Sequence, residues 1–213
     1  MSKPILAPTG RRERKRAETR ERIFRAAMQL FAERGFLETT VEDITEAADV
    51  GKGTFFNYFP GKEHVLGVLH EIQLAKVKEA HEAALAGTQP VREVLHHFMM
   101  RITEEPGRPQ QLARGLIVSM FSSEYIRQVV VETMKRGATL LAEVLESGQE
   151  RGEVRRDLKA EDMARTFQQC MLGTLLHWSL NPPLPLKRRL DATFEIFWSG
   201  IRAHDLPSRR SHS

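Results

Sequence analysis

Residues 39–63, TTVEDITEAADVGKGTFFNYFPGKE, decide the fold. Two short segments of helical period, Val41–Ala48 and Lys52–Phe59, are separated by three residues, and Pro60-Gly61 closes the second. A longer amphipathic segment precedes them, with apolar residues three and four positions apart. Two short helices joined by a tight turn after a longer helix have the outline of a helix-turn-helix.

The start of the first short helix carries a capping signal. A threonine is followed three positions later by an acidic residue twice, as Thr39 with Glu42 and as Thr40 with Asp43. In either arrangement the hydroxyl accepts a hydrogen bond from the first turn, and the carboxylate accepts one from the backbone of the threonine. The sequence predicts one of these two capping boxes and leaves the choice open.

The second short helix has an inner and an outer face. At about 100° per residue, Phe55 and Phe59 fall on one side and Tyr58 lies at its flank. The other side carries Lys52, Gly53, Phe56 and Asn57. An aromatic ring and an amide exposed together are unusual on a surface that meets only water. We therefore interpret the outer face as a binding surface, although core packing is the alternative for Phe56 and the favoured interpretation for Phe55 and Phe59.

The rest of the chain has helical period as well. No segment alternates at period two, so the fold class is predicted as all-α with about nine helices. Glycine and proline residues mark the predicted ends. The predicted helices cover about 14–34, 41–48, 52–59, 62–86, 91–102, 110–121, 124–148, 160–180 and 186–204.

Composition narrows the class of protein. With 41% hydrophobic and 28% charged residues among 213, the chain has the composition of a globular protein rather than of a disordered or membrane protein. Cys170 is the single cysteine, so no intramolecular disulfide can form. The N-terminus lacks the apolar segment of a secretory signal, and cytoplasmic localisation without a membrane partner is expected.

Positive charge is concentrated at the N-terminus. The first 25 residues contain nine Lys and Arg against three Glu, whereas the whole chain has a net charge of +4. A flexible basic arm over residues 1–13 is usually a solvated tail. It favours nucleic-acid binding only when a DNA-reading module follows it.

The residues quoted above resemble the DNA-binding domain of the TetR family of transcriptional regulators. The similarity rests on Thr39–Ile44, Val50–Phe59 and Lys62-Glu63, and extends from Arg14 to about Leu69. It implies a DNA-binding domain over 14–69 with its motif at about 40–59, a helical effector-binding and dimerisation domain over 70–204, and a flexible tail over 205–213. The implied function is that of a dimeric repressor, released from a palindromic operator by a small-molecule effector.

Two positions depart from the family pattern. Asp49 stands where the family usually has glycine, and Gly51 stands where it usually has serine. Aspartate tolerates the left-handed backbone of a tight turn. Replacing serine by glycine at a helix N-cap lowers the stability by only a few tenths of a kcal/mol. The motif survives both changes, but a hydroxyl contact at position 51 is lost.

The resemblance also implies which residues meet the DNA. The outward Lys52, Gly53, Phe56 and Asn57 would face the bases, because lysine can donate to guanine, asparagine can pair with adenine and an aromatic ring can pack on a thymine methyl. Thr40, Thr54, Tyr58 and Lys62 would hold phosphates. The carboxylate of Glu42 could accept from cytosine or close the helix cap, and the cap is the favoured interpretation.

The C-terminal part is predicted from the resemblance and from apolar spacing. In the TetR family the last two helices form the dimer interface, here about 160–180 and 186–204. An apolar effector pocket would lie among the middle helices, with His97 or His177 as a polar contact. Ordinary core packing is the alternative for each candidate wall residue: Phe98, Met99, Met120, Phe121, Met134, Phe167, Cys170, Met171 and His177.

Two other classes of function are alternatives, an enzyme and a ligand-binding protein. Gly51-Lys52-Gly53-Thr54 lacks the earlier glycine and the Lys-Thr pair of a phosphate loop, and His70-Glu71 and His81-Glu82 lack the second histidine of a zinc protease helix. No enzymatic activity, metal or cofactor is therefore expected. The remaining alternative is a dimeric small-molecule-binding helical protein with weak or lost operator binding.

Overall fold

The computed structural model describes residues 10–101, 109–180 and 185–203. Within these ranges the regular structure consists of nine α-helices, which confirms the predicted all-α class. Residues 1–9 of the predicted arm and the predicted tail at 205–213 lie outside the described residues. The helices are α1 (Arg11–Arg34), α2 (Val41–Ala47), α3 (Lys52–Phe56), α4 (Lys62–Leu85), α5 (Val91–Arg101), α6 (Pro109–Ser122), α7 (Glu124–Glu150), α8 (Ala160–Leu180) and α9 (Leu186–Ile201).

Helix α3 is shorter than predicted. It ends at Phe56, and Asn57 is its C-cap, with its N–H donating to the carbonyl of Gly53 at 3.1 Å. Three positions further on, Pro60 has no N–H with which to continue the helical ladder and disfavours helical backbone at the residue before it. The last three residues of the predicted helix, 57–59, therefore lie outside α3 and lead towards α4.

The described residues divide into two compact units. Unit 1 contains residues 10–71 and 109–130, and unit 2 contains residues 72–101, 131–180 and 185–203. Helices α4 and α7 contribute one part to each unit.

Unit 1 has an aromatic and aliphatic core built on α1. The inner faces of α1 to α4 bury side chains at helical spacing, and burial of each large apolar side chain contributes about 1.5–3 kcal/mol. Gly35 ends α1 at φ +90°, a conformation that favours glycine. Fully buried members of this core are Ile23, Phe31, Ile44, Phe55, Leu66 and Ile126.

Close contacts join the separate parts of unit 1. The rings of Phe31 and Phe36 meet edge to face at 5.1 Å, and a side chain at Gly115 of α6 would approach the Cβ of Phe36 to 3.2 Å. His64 of α4 stacks on Tyr125 of α7 at 4.0 Å between ring centroids. Glycine at 115 therefore allows α6 to pack closely against the end of α1.

Unit 2 has its own core, made by α5, α8, α9 and the C-terminal parts of α4 and α7. Its aromatic rings pack in series, with centroids 6.1 Å apart for Phe98 and Phe167 and 5.1 Å apart for Phe167 and Phe197. Glu153 joins distant segments, because its carboxylate accepts from the N–H of Val91 at 2.6 Å and its carbonyl accepts from Ala203 at 2.9 Å.

Among the described residues, none of the helices combines the length and the apolarity needed to cross a bilayer.

Candidate nucleic-acid interface

The cap of α2 is formed by Thr40 and Asp43. The Thr40 hydroxyl accepts from the Asp43 N–H at 3.1 Å, and Asp43 Oδ2 accepts from the N–H and the hydroxyl of Thr40 at 2.8 and 2.7 Å. The backbone hydrogen bond from Thr40 lowers the pKa of Asp43. The Thr39 hydroxyl, which is buried, donates to the carbonyl of Gly35 at 2.8 Å. The only hydroxyl hydrogen of Thr40 is directed to Asp43, which gives this residue a capping role, and its phosphate contact stays a prediction.

The turn between α2 and α3 depends on Asp49. This residue has φ +48°, the left-handed conformation that aspartate tolerates better than most side chains. The following N–H, of Val50, donates to the carbonyl of Thr45 at 3.0 Å. The departure from glycine at position 49 is therefore accommodated, and the turn directs α3 across α2.

The outer face of α3 is exposed as the sequence predicts. Phe55 and Phe59 are buried, whereas the side chain of Phe56 is 52% exposed and stands edge-on to Phe55 at 5.4 Å. Lys52, Gly53 and Asn57 are exposed, and Thr54 and Tyr58 are half-buried at the flank. A Cβ placed on Gly53 would meet no atom within 4 Å. The surface is therefore open to a large ligand, and one aromatic ring is exposed on it.

Lys52 of α3 forms an ion pair with Glu42 of α2. The hydrogen bond from the lysine ammonium is the main cause of a lowered pKa at Glu42, which favours its ionised form. Since Asp43 closes the α2 cap, the interpretation that Glu42 does so is wrong. The pair instead places one positive and one negative charge side by side on the exposed surface.

Lys62 has a structural role that the sequence did not indicate. Its ammonium donates to the carbonyl oxygens of Phe36, Leu37 and Thr39 at 2.8, 3.1 and 2.8 Å. It also lies 4.7 Å from the ring centroid of Phe36. Partial burial lowers the pKa of Lys62. All three ammonium hydrogens are directed to the loop between α1 and α2, which favours a loop-closing role for Lys62, and its phosphate contact stays a prediction.

The first turns of α1 bring positive charge beside α3. The basic residues from Arg11 to Arg16 are helical and exposed, and the guanidinium of Arg16 lies 6.0 Å from the ring centroid of Tyr58. Arg20, one turn further, lies over the ring of Phe59 at 5.8 Å and pairs with Glu71 at 3.2 Å. The basic composition indicated a cationic arm. Its placement against Tyr58 depends on a tertiary contact that spacing alone does not reveal.

The predicted effector residues are divided between the two units. Phe98, Met99 and Phe167 are buried in the core of unit 2, and Met171 packs against that core. Met134 and Cys170 are half-buried, and the exposed His177 accepts a hydrogen bond from Arg189 at 2.8 Å. Met120 and Phe121 belong to unit 1. The ring of Phe121 is 84% exposed, so its predicted place in a pocket wall is corrected.

Unit 2 contains a cleft of about 450 Å³ lined by α4 and α5. Phe98 borders it, and so does His97, which the sequence analysis named as a polar contact. Two contacts join charged residues at its border: Arg101 pairs with Glu79, and the Lys76 ammonium donates to the Arg101 carbonyl at 2.8 Å. No cluster of three metal-binding side chains occurs in the ranges that the structure describes.

An exposed recognition surface on α3, a capped α2, a tight turn between them and a basic flank define a helix-turn-helix DNA-binding regulator. Residues 23–69 match the family described as bacterial regulatory proteins of the tetR family, and residues 71–200 match the C-terminal domain of TetR/AcrR family transcriptional repressors. The chain belongs to the TetR/AcrR family and is a DNA-binding regulator of transcription.

Individual relatives agree with this assignment. The transcriptional repressor DhaR of Mycobacterium sp. (strain GP1) is 27% identical over 189 residues, which cover 84% of this chain and 92% of DhaR. The repressor FadR of Thermus thermophilus, solved with lauroyl-CoA, is 33% identical with a TM-score of 0.64 over 89% of this chain and 98% of FadR. SmeT of Stenotrophomonas maltophilia, solved with triclosan, shares the fold at 20% identity and a TM-score of 0.72, over 90% and 96% of the chains.

Proposed function

We propose that the protein is a homodimeric repressor that binds an operator of two inverted half-sites through the outer face of α3. The observation that carries this proposal is the separation of the α3 aromatics. Phe55 and Phe59 anchor the helix in the core, while Phe56 stands exposed beside Asn57 and Lys52. An α-helix of this kind fits the major groove of DNA, where each base pair presents its own pattern of donors and acceptors.

Different residues of this surface suit different parts of DNA. The Asn57 amide suits the N6 and N7 edge of adenine, and the Phe56 ring suits a thymine methyl group. Thr54 and Tyr58 lie at the flank, where their hydroxyls suit phosphates. Arg16, close to Tyr58, and its basic neighbours on α1 replace Lys62 as the source of positive charge for the DNA backbone. Affinity should therefore fall steeply with salt concentration.

A second copy is proposed to pack against α8 and α9. Each of these helices exposes large apolar side chains: Leu180 of α8 is 68% exposed, Leu176 is exposed four residues before it, and Ile196 of α9 is 75% exposed. Gly173 and Gly200 lie near them on the sequence, with open space where a side chain would stand. An exposed apolar surface with small residues permits close helix packing between two copies.

The effector is proposed to be an apolar small molecule bound by unit 2, as the lauroyl-CoA and triclosan complexes of FadR and SmeT suggest by similarity. Phe98, Met99, Phe167 and Met171 supply apolar, deformable surface there. An effector releases DNA only to the extent that it prefers the unbound arrangement. A regulator of transcription must reach the chromosome, so we also propose that the protein is cytoplasmic. The proposal includes no enzymatic activity.

Selection of bound duplexes from a random library tests the proposed DNA surface. The wild-type protein is expected to select an inverted repeat, and Asn57→Ala is expected to relax the preference at one base position by about 1–3 kcal/mol. Gln128→Ala, which removes an exposed amide from α7, is the matched control and should select the wild-type sequence. Failure of the wild type to select any sequence at low salt would instead support a helical ligand-binding protein with lost operator binding.

A further inference from the structure

Glu42 and Lys52 form a single donor-acceptor unit on the helix-turn-helix. Lys52 is the only charged residue of α3, whose sequence is KGTFF. Glu42, on α2, is free of the cap because Asp43 closes it. More than half of each side chain of the Glu42–Lys52 pair is exposed. The pair is therefore part of the surface proposed to enter the major groove.

Either charge alone would be poorly suited to base recognition. A lone carboxylate in the major groove is repelled by the phosphates on both sides, and a lone lysine is drawn to those phosphates as readily as to a base. When the two are paired, the lysine neutralises the carboxylate, and the carboxylate holds the ammonium at α3. The pair can therefore enter the groove at a lower electrostatic cost than a lone glutamate.

The chemistry of the pair matches one kind of base pair. In the major groove a G·C pair presents the adjacent acceptors O6 and N7 of guanine, followed by the N4 amino donor of cytosine. One ammonium can donate to both guanine acceptors while a neighbouring carboxylate accepts from cytosine. In an A·T pair the adenine amino group separates the two acceptors, and the thymine methyl group stands beside one of them.

We propose that Glu42 and Lys52 together recognise one G·C base pair in each half-site, with Lys52 donating to guanine and Glu42 accepting from the cytosine amino group. The proposal rests on DNA binding through α3. It adds a specificity-determining residue on α2, and it makes the contribution of each member of the pair dependent on the other.

Library selection with Glu42→Gln, Lys52→Met and the double variant tests the pair. Each single change is expected to lower the preference for G·C roughly tenfold at the same position, and the double variant should lose little more. Preferences at all other positions should remain. Glu46→Gln, which changes another exposed acid of α2, is the control and should retain the wild-type preference.

A change on the DNA side gives a second test that does not depend on the folding of a variant. Replacing the guanine by 7-deazaguanine removes its N7 acceptor. This replacement is expected to weaken wild-type binding several-fold and to leave Lys52→Met binding unchanged. An equal loss in both proteins would contradict guanine contact by Lys52.

Other outcomes separate this inference from the proposed function. If the wild type selects an operator but the two single variants alter different positions, or none, the paired recognition is wrong and DNA binding stands. If Lys52→Met weakens all sequences equally and lowers the salt slope by about one, Lys52 contacts a phosphate and the inference fails. If the wild type selects no operator, the proposed function and the inference fail together.

Discussion

The outer face of α3 and the exposed face of α8 and α9 differ in chemistry. The first combines a lysine, a glycine, an amide and one ring, and a glutamate from α2 pairs with its lysine. The second exposes leucine and isoleucine beside glycines, on helices that also carry the core of unit 2. Donors and acceptors suit the edges of bases, whereas apolar side chains suit another protein surface. The two surfaces are therefore assigned different partners because the chemistry of their exposed side chains differs.

The two regions also differ in how far along the chain their contacts reach. The cap, the turn and the α3 anchors join residues within about twenty positions of one another, from Thr40 to Phe59. In unit 2, by contrast, Asp191 of α9 bonds to His96 of α5 at 2.9 Å, 95 positions away along the chain. Substitutions in each region therefore test how strongly the binding surface depends on the buried residues that support it.

The largest effect is expected at the anchor of the recognition helix. Phe55→Ala removes a fully buried ring and should lower the free energy of unfolding by about 3–5 kcal/mol, with loss of DNA binding. Phe56→Ala removes the neighbouring exposed ring and should cost less than about 1 kcal/mol while weakening operator binding. Urea denaturation and DNA titration of both variants measure the difference. Equal destabilisation would show that the two rings are not divided between core and surface.

Local chemistry explains why the helix-turn-helix could be predicted. The Thr-Asp cap, the left-handed Asp49 and the positions of Phe55 and Phe56 follow from short-range spacing, and the structure confirms each of them. Spacing could not choose between the two capping boxes, because both have the same separation. It also could not show that Lys62 reaches the loop after α1, since that contact spans 23 to 26 positions.

The next effect concerns the apolar face of α9. Ile196→Glu should place a charge without a partner inside the proposed dimer interface, which costs about 3 kcal/mol and raises the dimer dissociation constant by more than a hundredfold. Val131→Glu is the matched control, because Val131 of α7 is 60% exposed and lies outside that face. Sedimentation equilibrium over a concentration series gives both constants. An unchanged Ile196→Glu dimer would exclude α9 from the interface.

The effector residues could not be located from the sequence for a physical reason. Phe98, Met99, Phe167 and Met171 have the helical spacing of a core, and a core and a pocket wall require the same apolar side chains. Phe121 shares this spacing on α6 but is exposed, so periodicity alone placed it wrongly. The cleft of unit 2 is lined by charged residues from two helices, and no local sequence motif predicts that they lie together.

A smaller effect is expected at the loop-closing lysine. Lys62→Met keeps much of the side-chain volume but leaves three carbonyl oxygens without the ammonium, and should lower the free energy of unfolding by about 1–2 kcal/mol. The salt slope of DNA binding should not change, because the ammonium is directed to the protein. Lys78→Met, an exposed site on α4, should leave both stability and slope unchanged. A slope reduced by about one unit in Lys62→Met would restore the phosphate interpretation.

The smallest effect is a pH dependence confined to unit 1. Burial lowers the pKa of His70, and among the described residues its buried Nε2 has no hydrogen-bond partner, so the native state favours neutral imidazole. As the pH falls through about 6.5, the usual histidine pKa, the unfolded chain binds a proton that the native state does not. The stability that neutral His70 contributes at neutral pH is therefore lost as the pH decreases from the pKa of His70 in the unfolded chain towards its lower pKa in the native state.

Hydrogen exchange, corrected for intrinsic rates, should show α1 to α3 losing protection over this range while α8 and α9 lose less. His70→Gln should flatten the dependence in unit 1 and Lys78→Met should keep it, whereas an unchanged slope in His70→Gln would assign the titration to another group.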